Sequence, residues 1–467
     1  MKKFCLVLLA MGLVLAFSAA AFAVDVKFSG SFFVAGMYQD KTSFMKGMGT
    51  DEGGPSTAFF YQRLRLQMDF IVSPGLKLIT RADVMKRAWG AARSAPGTAL
   101  DREAAYTVAE GENIGFDWAY IEYVSPIGMF DVGYQDDGPW GTIFGDNSIP
   151  AGLISWFAGS EKGGVALQIV KLKDQSKTAK FASTAADNDT TKLHAAFFYK
   201  WQRGEAGLLG VYYRDASNRL PAAGELMGNI YSLQPYAIVN FGPVKIQAEV
   251  QYAWGTIKAE TFPGPFGQDL KIDNLIGWID ATADFKRFYF GASFAYVAGN
   301  DWSKFATDGT IKGGFLNGGM EWNPTLLLFN NERTYWAGAI PGNAGSTTNN
   351  NAIAATFGID DTGMYNAWFF QGRAGIRPSA KLDIVASVSY AKADSKTWEG
   401  NLFGFPDFVS DVYGTEIDVV GTYKITNNLS YMLGAGYLFT GDYFKGFDPT
   451  ANVCNNYILI NKLTFTF

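Results

Sequence analysis

Few of the residue types that carry out enzymatic chemistry occur in this chain, and their small number excludes most metal and nucleophile sites. His194 is the only histidine, so neither a His-Glu-x-x-His motif nor any other site with several histidines can exist. Cys5 and Cys454 are the only cysteines and cannot form a cysteine metal cluster. No Gly-Lys dipeptide is present, which excludes a phosphate-binding P-loop.

The one histidine also has the wrong neighbours for a lipid-facing serine esterase, because it lies on the polar side of its segment, between Leu193 and Ala195. The stretch "DND" at 187–189 contains calcium-type ligands, but paired Asp and Asn residues more often form turns. We therefore expect no enzymatic activity, no catalytic residues, no metal ligands and no cofactor.

Charge and hydropathy exclude two further classes of protein. The formal net charge is −5 and becomes more negative without Lys2 and Lys3, which argues against binding of nucleic acid. After residue 23 no apolar run approaches the roughly 18 residues that a transmembrane helix needs.

The amino terminus has the layout of a cleaved export signal. In "MKKFCLVLLAMGLVLAFSAAAFA", two lysines precede an apolar run, and small residues end at Ala23. We expect a Sec-type signal peptide over 1–23 and a mature domain over 24–467. A bacterial signal of this kind delivers the chain to the periplasm or beyond, which in a Gram-negative cell includes the outer membrane.

Strict alternation of apolar and polar residues recurs along the whole mature chain. It is clear in "RLRLQMDF" at 63–70, "VKIQAEVQYAW" at 244–254 and "GTEIDVVGTYKI" at 414–425. Because successive side chains of a strand point to opposite faces, each stretch predicts a β-strand with one apolar and one charged face. No convincing helical periodicity competes with this pattern.

Short and long connections alternate between these predicted strands. Long connections lie at 40–58, 88–113, 174–190, 257–273 and 302–363. The tight turns lie at 73–75, 125–128, 160–163, 203–205, 242–243, 286–287, 378–381 and 426–428. This asymmetry is typical of transmembrane β-barrels, in which short turns face the periplasm and long loops face the exterior.

The predicted fold is therefore all-β: a closed transmembrane antiparallel barrel of about 16–18 strands. Eight hairpins, a first strand near 26–38 and a last strand near 457–467 favour 18 strands, and a weak pattern at 152–159 leaves 16 open. A closed barrel satisfies every backbone hydrogen bond within lipid, and at this size its lumen is wide enough for water. We expect one domain without a separate plug.

The final residues, "YILINKLTFTF", resemble the carboxy-terminal signature that the outer-membrane assembly machinery reads. Asn461 departs from the pattern at one apolar position. The alternating apolar residues of the signature are Tyr457, Leu459, Leu463, Phe465 and Phe467.

The whole plan resembles the trimeric bacterial outer-membrane porins of the general diffusion type. That resemblance implies a homotrimer in the outer membrane, with the small outward residues Gly30, Ala35 and Gly36 as candidates for the subunit contact. It also implies that the loop after the fifth strand, here 136–151, folds into the lumen opposite a cluster of basic residues. The predicted constriction comprises Arg63, Arg65, Lys77, Arg81, Asp136, Asp137 and Asp146.

The leading functional hypothesis is a water-filled channel for passive diffusion of small hydrophilic solutes and ions. A substrate-selective channel for a sugar or an oxyanion is the alternative, with Trp118 and Tyr120 lining the path, although a place in the aromatic girdle is preferred for both. A surface adhesin or structural barrel is the third possibility, with "GGMEWNPTLLLF" in the long extracellular loop 302–363 as its interaction patch. The sign of any ion preference is left open.

Overall fold

The structure of the chain is a computed structural model. The described residues are 24–41, 44, 56–89, 114–146, 148–174, 189–217, 219–220, 224–259, 269–319, 322–330, 363–397, 404 and 406–467. The predicted signal peptide at 1–23 and most of the "DND" stretch at 187–189 lie outside these residues. None of the described helices is long and apolar enough to cross a membrane.

Strands account for almost all of the regular structure. In chain order they are β1 Asp25–Gln39, β2 Thr57–Ser73, β3 Leu76–Ala88, β4 Ile114–Ser125, β5 Gly128–Asp136, β6 Pro150–Ser160, β7 Gly163–Asp174, β8 Asp189–Trp201, β9 Gly204–Asp215, β10 Arg219–Leu220, β11 Gly224–Phe241, β12 Val244–Ala259, β13 Leu270–Asp284, β14 Phe288–Val297, β15 Thr310–Ile311, β16 Ala367–Ser379, β17 Leu382–Lys392, β18 Val412–Lys424, β19 Leu429–Thr440 and β20 Asn456–Thr466. Within the described ranges, a short helix, α1, spans Trp302–Asp308, and a 3₁₀ turn spans Asp442–Lys445.

Strands β10 and β15 contain only two residues each and are not counted as barrel strands. The other 18 strands are long and form one closed antiparallel barrel. Neighbouring long strands pair in sequence order, and the barrel closes where β1 pairs with β20 from Ser31–Thr466 to Gln39–Ile458. The predicted fold class is confirmed. The weak pattern at 152–159 lies within β6, so the count is 18 rather than 16.

All eight predicted tight turns connect adjacent strands, and they lie at one end of the barrel, here called the turn end. The strand ends that the longer connections join lie at the opposite end, here called the loop end. Gly75 at φ 79° and Gly242 at φ 60° show why glycine occupies the turns, since this left-handed backbone region disfavours other residues.

The outer face is apolar, as the alternation predicts, and the inner face is polar from the middle of the barrel to the turn end. Near the loop end the inner face instead carries buried apolar side chains, such as Ile276, Val297 and Phe369. Val250 is 45% exposed, whereas its neighbour Glu249 is 1% exposed and points inward. In β1, Phe28 is 64% exposed, and Gly30 and Gly36 share its face. Ala35 is 1% exposed and lies on the inner face, so its proposed place at an outer subunit contact was wrong. An odd-numbered residue cannot share the face of Gly30 and Gly36 on a regular strand.

Exposed aromatic side chains frame the outer surface at both ends. Aliphatic side chains occupy the band between them, for example Ile154 at 54% and Val388 at 53% exposed. The turn-end aromatics are Tyr123, Tyr199, Trp201, Phe241, Phe288, Tyr423 and Phe467, and the loop-end aromatics are Phe60, Trp89, Tyr134, Tyr231, Trp254 and Phe439. Two aromatic girdles around an apolar band are the surface of a membrane-spanning barrel.

Two segments from the loop end fold into the barrel. One is formed by residues 137–146 and 148–149 between β5 and β6, here called the first inward segment. The other is formed by residues 313–319 and 322–330 of the connection after β14, here called the second inward segment. The adhesin hypothesis used part of this segment as an exposed interaction patch, but Leu327 and Leu328 are 0% exposed and Phe329 is 5% exposed. The apolar run "TLLLF" is buried because it packs with inward aromatic rings.

Candidate channel interior

A ladder of ion pairs covers the lumen wall formed by β2, β3 and β4. Arg65 binds Asp83 through two hydrogen bonds of 2.7 and 2.9 Å. Arg81 binds Asp117 at 2.8 and 2.6 Å, and Arg65 also lies 3.4 Å from Asp117. Since both arginines bind carboxylates of their own wall, their positive charge is largely neutralised there.

Asp117 was missed by the sequence analysis because a β-bulge changes the face on which it lies. The β3–β4 register shifts between Arg81 and Ala82, so that Trp118 pairs with Arg81 while Phe116 pairs with Ala82. Asp117 therefore joins Trp118 on the inner face, where strict alternation would have pointed it at lipid. No local sequence signal marks the position of this bulge.

Trp118 and Tyr120 also face the lumen. The Arg81 guanidinium carbon lies 3.4 Å from the centroid of a Trp118 ring, and the Tyr120 ring contacts Trp118 edge-on at 6.3 Å. The preferred interpretation of these two residues as girdle aromatics was therefore wrong. A planar guanidinium stacked on indole is a favourable cation–π contact, which holds the Arg81 fork towards Asp117.

Two other predicted basic residues lie on the same wall, Arg63 near Asp83 of the ladder and Lys77 near the turn end. The guanidinium carbon of Arg63 lies 5.2 Å from the ring of Phe33 on β1. Lys77, near the turn end, binds Glu122 at 2.6 Å.

Each of the three predicted acidic residues has a different partner in the structure. Asp136, at the end of β5, lies 3.6 Å from Arg81 and is the one acidic residue of the predicted set that meets the arginine ladder. Asp137 binds Lys192 of β8 at 2.5 Å. Asp146 accepts hydrogen bonds from the backbone N–H and hydroxyl of Ser148 within its own loop.

Glu249 holds the first inward segment against the inner face of β12. Its carboxylate accepts hydrogen bonds from the Thr142 backbone N–H at 2.6 Å and the Thr142 hydroxyl at 2.8 Å. Gly141, at φ 69°, and Gly145 lie so close to the carboxylate that a Cβ on either would clash with it. The loop thus wraps around a single buried carboxylate.

Trp140 fixes the same loop to β11. Its indole N–H donates to the backbone carbonyl of Gln234 at 2.8 Å, and its ring meets Tyr236 edge-on at 5.2 Å. Gly207 makes room for both rings, because a Cβ there would contact them.

Glu416 of β18 holds the second inward segment in a similar way. Its carboxylate accepts the backbone N–H groups of Leu326, Leu327 and Leu328 at 3.0, 2.6 and 2.8 Å. Three consecutive N–H groups that converge on one carboxylate form an anion-binding nest.

The two inward segments meet through Phe144. Its ring contacts Trp322 of the second segment at 5.1 Å and stacks on Trp278 of β13 at 5.9 Å.

Two cavities line the wall of β7, β8 and β9 on either side of the first inward segment. The loop-side cavity, of about 180 Å³, is lined by Lys192, Tyr213 and Gln251 among others. The turn-side cavity, of about 690 Å³, is lined by Asp131, Asp146, Gln168, Lys200 and Tyr236 among others.

The described residues contain no group of three or more His, Cys, Asp or Glu side chains that could hold a metal ion. The described interior contains two cavities, paired charges, two docked loops and a cluster of buried apolar side chains around Phe144, Trp278 and Trp322.

Comparisons with known proteins identify the fold. No protein-family model matches the chain, and no curated protein sequence matches it. Among solved structures, OccK2 (OpdF) of Pseudomonas aeruginosa is 11% identical over 95% of this chain and 98% of that chain, with a TM-score of 0.50. The outer membrane channel DcaP of Acinetobacter baumannii is 9% identical over 96% of this chain and 99% of that chain, with a TM-score of 0.43. An anion-selective porin from Comamonas acidovorans is 12% identical over 95% and 99%, with a TM-score of 0.42. At these identities the similarity establishes the fold alone, which is that of the porin-type outer-membrane β-barrels.

Proposed function

We propose that this protein is an outer-membrane porin, a passive channel for small hydrophilic solutes and ions. The observation that carries the proposal is a closed barrel of 18 long strands with an apolar, aromatic-belted outer face and cavities among charged inner residues. Such a molecule presents its apolar face to lipid and leaves water as the filling of its lumen. No enzymatic activity is part of the proposal.

The test is reconstitution of the purified protein in planar bilayers. A channel gives stepwise conductance that increases with salt concentration, and liposomes that contain it swell in solutions of small sugars. Protein that inserts but gives no conductance steps would contradict the proposal and favour a structural or adhesive barrel.

The narrow part of this channel lies beside the first inward segment. Its walls carry the predicted constriction residues, but the basic and acidic groups do not pair across the lumen as expected. Arg65 and Arg81 bind carboxylates of their own wall, and Asp137 binds Lys192. Arg63 and Lys77 line the same lumen wall as the ladder, Asp136 ends β5 just before the inward segment, and Asp146 lies within that segment.

A substrate-selective channel is the second candidate, and the lumen-facing rings of Trp118 and Tyr120 favour it. Aromatic faces beside charged groups can bind the apolar faces of a sugar. Block of the ionic current by a particular sugar, with loss of the block in Tyr120→Ala, would support this candidate over the general channel.

The native state is a homotrimer. The signal peptide at 1–23 is cleaved during export, and the outer-membrane assembly machinery inserts the mature chain. Support comes from the outward positions of Leu459, Leu463, Phe465 and Phe467, which the terminal signature requires, and from Gly30 on the outer face of β1. The proposed contact residue Gly36 is covered by the side chains of Phe60 and Asn461. Native mass measurement in mild detergent tests the trimer, and a mature amino terminus at Val24 tests the cleavage site.

A further inference from the structure

The two cavities are stacked along the barrel axis. Strand β8 runs from the loop end to the turn end, and it contributes Lys192 and His194 to the loop-side cavity and His194, Phe198 and Lys200 to the turn-side cavity. Strand β9 runs in the opposite direction and shows the reverse order, with Leu209 in both cavities and Tyr213 in the loop-side cavity alone.

Four residues line both cavities and mark the place where they meet. Gly138 and Trp140 belong to the first inward segment, and His194 and Leu209 belong to the facing wall. A solute that passes between the inward segment and this wall therefore passes these four residues.

The charges that line the loop-side cavity cancel. Its lysine and its carboxylate, Lys192 and Asp137, are bound to each other at 2.5 Å.

The turn-side cavity retains negative charge. Lys200 is bound to Glu205 at 3.0 Å, and Asp136 lies 3.6 Å from Arg81. Asp131 and Asp146 form no ion pair with any residue that the structure describes. Asp131 also lies opposite Glu122, whose own charge is bound by Lys77 at 2.6 Å.

We propose that the passage past Gly138, Trp140, His194 and Leu209 selects small cations, inorganic or organic, and that Asp131 and Asp146 are the residues that determine this preference. This inference rests on the proposed channel function and specifies the class of solute that crosses. Fixed carboxylates beside low-dielectric walls concentrate cations and exclude anions from a narrow aqueous path.

The electrostatic effect of one carboxylate in a partly screened passage is worth about a threefold change in the ratio of K⁺ to Cl⁻ permeability. The preference should weaken as salt rises from about 0.1 M to 1 M, because the Debye length falls from about 10 Å to 3 Å.

The experiment is measurement of the reversal potential in a KCl gradient across a planar bilayer. The wild-type protein is expected to prefer K⁺, and the double variant Asp131→Asn/Asp146→Asn is expected to lose about tenfold in the permeability ratio, from two threefold effects. Both substitutions keep the side-chain shape and an oxygen acceptor, so the hydrogen bonds from Ser148 to residue 146 can persist.

Asp69→Asn is the matched control. Asp69 is another lumen carboxylate, hydrogen-bonded by Gln67 at 3.0 Å on the β2 wall, and it lines neither cavity. The control is expected to keep the wild-type reversal potential.

Three results would overturn the inference while leaving the channel intact: conductance without K⁺ preference, an unchanged potential in the double variant, or an equal shift in Asp69→Asn. Absence of any conductance would instead overturn the proposed function.

Discussion

Removal of the Glu249 carboxylate should release the first inward segment and widen the pore. Glu249 is 1% exposed and accepts two hydrogen bonds from Thr142, at 2.6 and 2.8 Å, which tie the loop to β12. Hydrogen bonds to a charged group contribute about 1.5–3 kcal/mol each, so Glu249→Ala weakens the docking of the loop by roughly 3–6 kcal/mol. The population of undocked loop should rise by about 10² to 10⁴.

The assay combines single-channel conductance with the exclusion of polyethylene glycols of increasing size. Glu249→Ala should raise the conductance and admit larger polymers than the wild type. Glu249→Gln keeps an acceptor oxygen without the charge, so it should show an intermediate effect. Gln247→Ala is the matched control, because it removes an inward side chain two positions away on β12.

Normal folding of each variant is checked by its heat-modifiable migration in detergent gels. A folded Glu249→Ala barrel with wild-type conductance and wild-type polymer exclusion would refute the reasoning. That result would mean that Trp140 and Phe144 hold the loop without the carboxylate.

Three further predictions concern the wall, the outer face and the terminus. Arg65→Ala should lower the unfolding free energy of the barrel in detergent by about 3–5 kcal/mol, because the buried carboxylate of Asp83, at 2% exposed, loses the partner of its two hydrogen bonds. The double variant Arg65→Ala/Asp83→Ala should recover most of this loss. Failure to recover would show that the ion pair is not its cause. Val250→Arg, on the outer face of β12, should lower the unfolding free energy in lipid by about 2–4 kcal/mol, whereas Gln247→Arg on the inner face should lower it much less. Equal unfolding free energies of the two variants would contradict the assigned faces. Phe467→Ser should slow insertion into outer membranes, whereas Thr466→Ser, on the opposite face at the end of the chain, should not. Insertion is measured as the fraction of heat-modifiable protein after a pulse of synthesis. Insertion of Phe467→Ser at the wild-type rate would show that this residue is not part of the assembly signature.

The sequence determined the strands, their order and the faces of most side chains, because these depend on local chemistry; Ala35, Trp118 and Tyr120 were assigned to the wrong face. Alternation with a period of two assigns each side chain to one face, and Gly, Pro, Asn and Ser mark the hairpins. A barrel built from neighbouring hairpins needs no further information, and all eight predicted turns and the 18 long strands follow from it. The inward direction of Arg65, Arg81 and His194 could be predicted in the same way.

Only the tertiary structure decided which charges meet and where the loops dock. Asp117 joins Arg81 because of one bulge, and an extra residue in a strand leaves no mark on composition. Thr142 meets Glu249 across a separation of 107 residues, and Leu327 meets Glu416 across 89. Such contacts depend on the closure of the barrel, which brings distant strands around one lumen. The buried run "TLLLF" has the composition of a surface patch or of a core, and only the inward aromatic rings that receive it determine which of the two it becomes.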